Sequence, residues 1–151
     1  MIDTSLIPVP KGKTRIVKRG GNTQDIINSI LYLDDYYDSR FCKFAKQFEG
    51  KKGLKRLWSF VKYEIEYRKD NFEESLQLTP PALWKKRSGD CKSKTLFINA
   101  VLRCLDIPYV TRFTNYEKGE KDFKHVYTVA IIDGKELPID SVYNVFGSEK
   151  K

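Results

Sequence analysis

The chain holds one histidine, His125, and three cysteines, Cys42, Cys91 and Cys104. A cysteine attacks as its thiolate, and near neutral pH it needs a base or a cation beside it to hold that form. His125 is the only imidazole that could serve any of the three. Taken by itself, a single histidine is more often a surface or satisfied core group than a catalytic one. It does, however, open a β-prone run directly after a polar segment, where a side chain can reach the edge of a site. Cys91 is the distinctive thiol. It follows Gly89-Asp90 and opens an amphipathic segment, so its sulfur would lie near the unpaired N–H groups of a helix's first turn. Those donors favour a thiolate, and Cys91's own N–H could hold the oxyanion of a tetrahedral intermediate. Gly89 lets the backbone turn sharply just before the nucleophile. Cys104 falls on an apolar stripe and Cys42 among phenylalanines, so both are expected to pack as small hydrophobes.

Asp140 completes the set. It ends the run Leu137-Pro138-Ile139, which an Asp133-Gly134 turn would fold back beside the strand that starts at His125. From there a carboxylate could accept a hydrogen bond from the imidazole and fix its tautomer. A solvated aspartate in a strand-end turn is the ordinary alternative.

The elements that must position these residues follow from periodicity. Asn22 or Thr23 could cap a helix carrying Ile26, Ile27, Ile30, Leu31 and Leu33. Arg40 to Phe48 keeps Phe41, Phe44, Ala45 and Phe48 on one face, and Gly50 and Gly53 should break that helix. Leu54, Leu57, Trp58, Val61 and Ile65 then repeat at helical steps up to about Tyr67. Residues 68–79 read as a polar connection, ended by Pro80-Pro81 and a short turn with Ala82, Leu83 and Trp84. A helix from Cys91 to Leu105 stops before Pro108. Tyr109–Phe113, Val126–Ile132 and Glu136–Ile139 are β-prone, with a charged connection from Thr114 to Phe123. Helices first and an antiparallel meander after them make an α+β fold.

A chain of 151 residues suits one domain. The expected organisation is an extended arm over 1–21, one domain over 22–146 and a charged tail over 147–151. No run approaches the ~20 apolar residues of a membrane helix, and the first fifteen residues lack the basic-then-apolar order of a signal peptide. An odd cysteine count without a CxxC pair argues against a disulfide framework and a zinc site, so reduced thiols in a cytosol-like compartment are expected. The formal charge of +8 is spread along the chain rather than massed in one run.

Four short segments now share a pattern: Gly89-Asp90-Cys91-Lys92-Ser93-Lys94, Leu105-Asp106-Ile107-Pro108-Tyr109, His125-Val126-Tyr127 and Pro138-Ile139-Asp140. In this order they resemble the transglutaminase-like superfamily, where a G-D/E-C segment precedes an L-G-I-P-type turn, an H-V-W/Y strand and a P-x-D strand. Ile65-Glu66-Tyr67 and Pro81-Ala82-Leu83-Trp84 resemble its lead-in, so the likeness runs over about residues 54–143. It implies a papain-like core with Cys91 as nucleophile, His125 as general base and acid, and Asp140 as orienting carboxylate. It also implies Trp84, Gly89 and Asp90 in the substrate and oxyanion neighbourhood. Asp106 departs from the pattern by standing in the glycine position; aspartate tolerates a left-handed backbone better than most residues. A small lysine-rich member of this kind resembles microbial or bacteriophage-encoded proteins. The implied activity is thiol-dependent hydrolysis or acyl transfer at peptide or isopeptide amides, on a protein or peptide substrate, with no cofactor and no metal. No calcium-type spacing of acids accompanies it.

Two other classes compete. The chain could be a non-catalytic interaction or structural module with a relic triad, for example in a phage virion, docking a partner through residues 1–21 and the tail; its location would then be the virion rather than the cytoplasm. A nucleic-acid binder could use the positive surface and the tyrosines, but Tyr36-Tyr37 lies among Asp34, Asp35 and Asp38, a poor phosphate site.

Overall fold

The helix that begins at Cys91 organises the molecule. Asp90 is extended and its carboxylate accepts the Lys92 N–H at 3.0 Å, so the helix starts where an N-cap aspartate dictates. The computed structural model describes residues 1–10, 15–19, 38–68, 74–114 and 125–149. Within these, the chain is α+β. Strand β1 (Arg15–Arg19) precedes α1 (Ser39–Ala45), a 3₁₀ turn (Lys46–Phe48) and α2 (Gly50–Glu64). Then come β2 (Glu66–Tyr67), β3 (Glu74–Leu78), α3 (Pro80–Lys86), β4 (Ser88–Gly89) and α4 (Cys91–Cys104). The meander of β5 (Tyr109–Thr114), β6 (His125–Ile132) and β7 (Lys135–Ile139) closes the order.

The meander is antiparallel in the order β5-β6-β7, with Ile132 paired to Lys135 across a two-residue turn. Asp133 and Gly134 both take positive φ, 52° and 75°, which matches the twist of a tight hairpin. Helix α4 packs along β6. Asn99 is fully buried in that seam: it accepts from the Thr128 hydroxyl at 2.6 Å and donates to the Thr111 hydroxyl at 2.9 Å. On its other side α4 meets α1, α2 and α3 around an aromatic cluster in which Phe97 touches Phe41, Phe44 and Phe60 at centroid distances of 5.5–6.0 Å. Asp106 takes φ 56°, the left-handed turn its place before Ile107-Pro108 requires.

Several elements differ from expectation. The segment from Arg40 ends at Phe48, and Gly50, at φ 81°, opens a separate helix, α2, which runs on through Gly53. A Cβ on Gly53 would come within 2.2 Å of the Phe48 carbonyl, so glycine is what lets α2 sit against the preceding turn. Residues 74–78 form a strand rather than part of a polar connection, paired antiparallel with β1. The arm is therefore tied back, and its first residues dock as well: Asp3 and Gln47 exchange two hydrogen bonds, 2.7 and 3.1 Å. Glu149 in the tail accepts from Tyr127 and pairs with Arg112. The helix expected after Asn22 or Thr23, and most of the connection from Thr114 to Phe123, lie outside the described residues.

The thiols are the clearest correction. Cys42 and Cys104 are bonded, joining α1 to the end of α4, and only Cys91 is free. An odd count is compatible with one pair and one thiol, and a bridge between residues 62 apart could not be read from spacing. The expectation of a reducing compartment rested on three free thiols and loses that premise. Closing a loop of this length removes unfolded-state entropy worth roughly 2–4 kcal/mol. Reduction with dithiothreitol is expected to lower Tm by about 5–15 °C, read by circular dichroism. An unchanged Tm would mean the bridge adds no stability.

Candidate active site

Cys91 is the first residue of α4 and only 4 % exposed. Three local features set its place. Asp90 caps the helix, and the paired backbones of β2 and β4 fix Gly89 opposite Tyr67 immediately before it. The Ser93 hydroxyl accepts the Leu78 N–H at 3.0 Å, holding β3 against the first turn. A Cβ on Gly89 would meet Leu83 Cδ1 at 2.7 Å, so a larger residue there would require the Leu83 side chain to shift. The Lys92 N–H is taken by Asp90 and the Lys94 N–H by the Asp90 carbonyl, whereas the Cys91 N–H finds no acceptor among the described residues.

His125 begins β6, and the Cys91 thiol is one of the two groups whose interaction raises the pKa of its ring. Its Nε2 lies 2.6 Å from Asp140 Oδ2. An ionised carboxylate only accepts, so Nε2–H donates to Asp140 and Nδ1 is left to face the sulfur. Strand pairing explains how Asp140 arrives there. Ile139 pairs with Thr128, and one further step sets Asp140 opposite Tyr127, diagonal to His125 on one face. The other Asp140 oxygen accepts the Val142 N–H at 3.1 Å, and its carbonyl accepts the Trp58 indole N–H at 2.8 Å. The carboxylate is thus held from both sides, and it is 4 % exposed.

The electrostatics follow from this packing. Burial is the largest influence on His125 and works against the charged ring. The hydrogen bonds to Asp140 and Cys91 and the negative charge of each outweigh it, raising the His125 pKa to about 9. At neutral pH the ring is an imidazolium between two groups that can each carry negative charge.

Sequence reasoning singled out six residues here, and the structure brings Cys91, His125 and Asp140 together with Gly89 and Asp90 just before the thiol. Trp84 stacks on Phe60 at 5.3 Å and carries the Arg87 guanidinium at 3.9 Å. Other contributors had gone unnoticed. Thr95 donates to the Val126 carbonyl at 3.1 Å, linking the first turn of α4 to the residue after His125. Tyr127 stacks on the His125 ring at 5.6 Å. Trp58 had been read only as part of an apolar stripe; its indole nitrogen is what reaches Asp140. Lys92 is fully buried and pairs with Asp90, so the cap is itself neutralised. Only three-dimensional pairing reveals these roles.

The fold has a solved counterpart. A crystal structure of a protein from Cytophaga hutchinsonii, proposed to be a cysteine protease, superposes with a TM-score of 0.50 at 18% identity. The match covers 84% of this chain and 48% of that one, so the chain spans about half the length of this neighbour. At that identity the likeness shows the fold alone. No family model matches the sequence, and no curated protein does either.

Proposed function

We propose that Cys91, His125 and Asp140 form a thiol acyl-transfer triad, on a papain-like core of transglutaminase-like type, that acts on peptide or isopeptide amides. One observation carries this reading. The single free thiol of the chain opens a helix and is coupled to the single imidazole, whose Nε2 lies 2.6 Å from a buried carboxylate. In the first step the Cys91 thiolate adds to the amide carbonyl, and the oxyanion accepts the Cys91 N–H. The His125 imidazolium then gives its proton to the leaving amine, the C–N bond breaks and a thioester remains. Water or a second amine adds to the thioester while His125 takes its proton, and the thiolate leaves. Asp140 holds the ring in the tautomer that serves both steps.

The alternative, a non-catalytic module with a relic triad, draws on the 4 % exposure of Cys91: this conformation buries the thiol. One measurement separates the two. Iodoacetamide at pH 6 should alkylate Cys91 at least about tenfold faster in the folded protein than in urea, where it is an ordinary thiol with pKa ≈ 8.5. Equal or slower labelling of the folded form would remove the catalytic reading.

A further inference from the structure

The first turn of α4 carries a charge that the triad does not use. Lys94 is 1 % exposed, and a lysine that is fully buried is normally paired. Its ammonium has no ion pair or hydrogen bond to any described residue. It lies over the ring of Tyr67, whose centroid is 5.8 Å away. Helical side chains lean toward the helix N-terminus, so Lys94 reaches back toward Cys91, three residues earlier. Tyr67 locates the end of that reach, because its backbone pairs with Gly89, two residues before the thiol.

A second cation approaches from α2. Lys62 donates to the Ser141 carbonyl at 3.5 Å, one residue beyond Asp140, and lies over the rings of Trp58 and Tyr63. It too has no carboxylate partner among the described residues. The two ammoniums sense one another: burial first, and then the charge of Lys62, lower the Lys94 pKa to about 8. Lys94 lies by Tyr67, whose backbone pairs with Gly89, and Lys62 lies by Ser141, so the two like charges stand beside the residues that flank Cys91 and Asp140. Such an arrangement is unfavourable when empty and is relieved by an anion. The buried acids nearby are committed, Asp140 to His125 and Asp90 to Lys92. Tyr67 and Tyr63, 42 % and 70 % exposed, leave the edge of this neighbourhood open to solvent.

We infer that Lys94 and Lys62 form an anion subsite for the carboxylate of the acyl donor. The triad would then act on amides that carry a free carboxylate near the scissile bond, as an acidic side chain or a chain terminus. This rests on the thiol reading above, and the test keeps the two apart by using a pair of reagents that differ in charge. Iodoacetate carries a carboxylate where iodoacetamide carries a neutral amide, and both alkylate the same sulfur. The ratio of their rates on Cys91 should exceed that on free cysteine by roughly tenfold, about the effect of one nearby unit charge at a partly solvated site. Lys94→Met keeps the apolar stem without the charge and should lower the ratio by roughly five- to tenfold, while Lys94→Arg should retain it. The His125 imidazolium is present in every variant, so the change reports the lysine. Should Lys94→Met fail to fold, Lys62→Met on α2 decides by the same readout. Fast iodoacetamide labelling with a ratio that neither Met variant changes would overturn the subsite and leave the thiol reading standing. Slow labelling by both reagents in the unmodified protein would overturn the two together.

Discussion

Replacing His125 with alanine should slow iodoacetamide alkylation of Cys91 at pH 7 by roughly 10- to 30-fold, the thiolate fraction that an unassisted thiol of pKa ≈ 8.5 lacks at that pH. The expected loss exceeds that of a single hydrogen bond because of what the substitution leaves behind. The His125 ring is coupled to Cys91, whose hydrogen bonding and charge both act to raise the imidazole pKa. Its removal leaves the buried carboxylate of Asp140 without the ring that separates it from the thiol, and like charges in a buried site disfavour each other's ionised forms. The chain has no second histidine to substitute. Because Cys42 and Cys104 are bonded to each other, label uptake reports Cys91 alone. A variant that retains its far-ultraviolet spectrum and still reacts within twofold of the parent rate would show that the imidazole does not activate the thiol.

How much of this was readable in advance depends on whether the signal was local. The start of α4 was legible because a capping aspartate and the apolar repeat after it belong to one short segment. The β6–β7 hairpin was legible because Asp133-Gly134 can take the two positive-φ positions that a two-residue turn requires. Strand β3 was not, since Glu74-Ser75-Leu76-Gln77-Leu78 is polar and becomes a strand only by pairing with β1, some 60 residues earlier. Gly50 was legible as a break after Phe48, but Gly53 lies inside α2, because what it admits is the close approach of the Phe48 backbone. The cysteine bridge depends on α1 crossing the end of α4. Amphipathic patterning would send Lys92 and Lys94 to solvent, but α4 has the sheet on one side and helices on the other, and every residue from Cys91 to Leu102 is buried. The three candidate residues stood out in the sequence because each sits at the end of a locally encoded element. Trp58, Thr95 and the two lysines lie inside elements, where a packing role and a chemical one leave the same pattern.

Asp140→Asn provides the second large effect, and its sign can be worked out from His125. In the parent, Asp140 contributes both a hydrogen bond and a charge that hold the ring protonated to about pH 9, while burial opposes them. Asparagine keeps the shape and an oxygen for the Val142 N–H but removes the charge, so burial regains weight and the His125 pKa should fall by at least about 1–2 units. A folded-state pKa above the unfolded value of about 6.5 contributes stability that is fully present below pH 6.5 and is lost as pH rises through about 9. For His125 that contribution is on the order of 3 kcal/mol. The parent should therefore lose stability between pH 6.5 and 9.5 that the variant largely lacks, and urea melts of both proteins across that range give the difference. The same displacement should appear in chemistry: the imidazolium-dependent part of Cys91 alkylation would fade at lower pH in the variant than in the parent. Parallel stability curves and superimposable rate profiles would mean that Asp140 neither charges nor orients the ring. Its burial against Trp58 would then be structural, and the triad would reduce to a thiol and an imidazole.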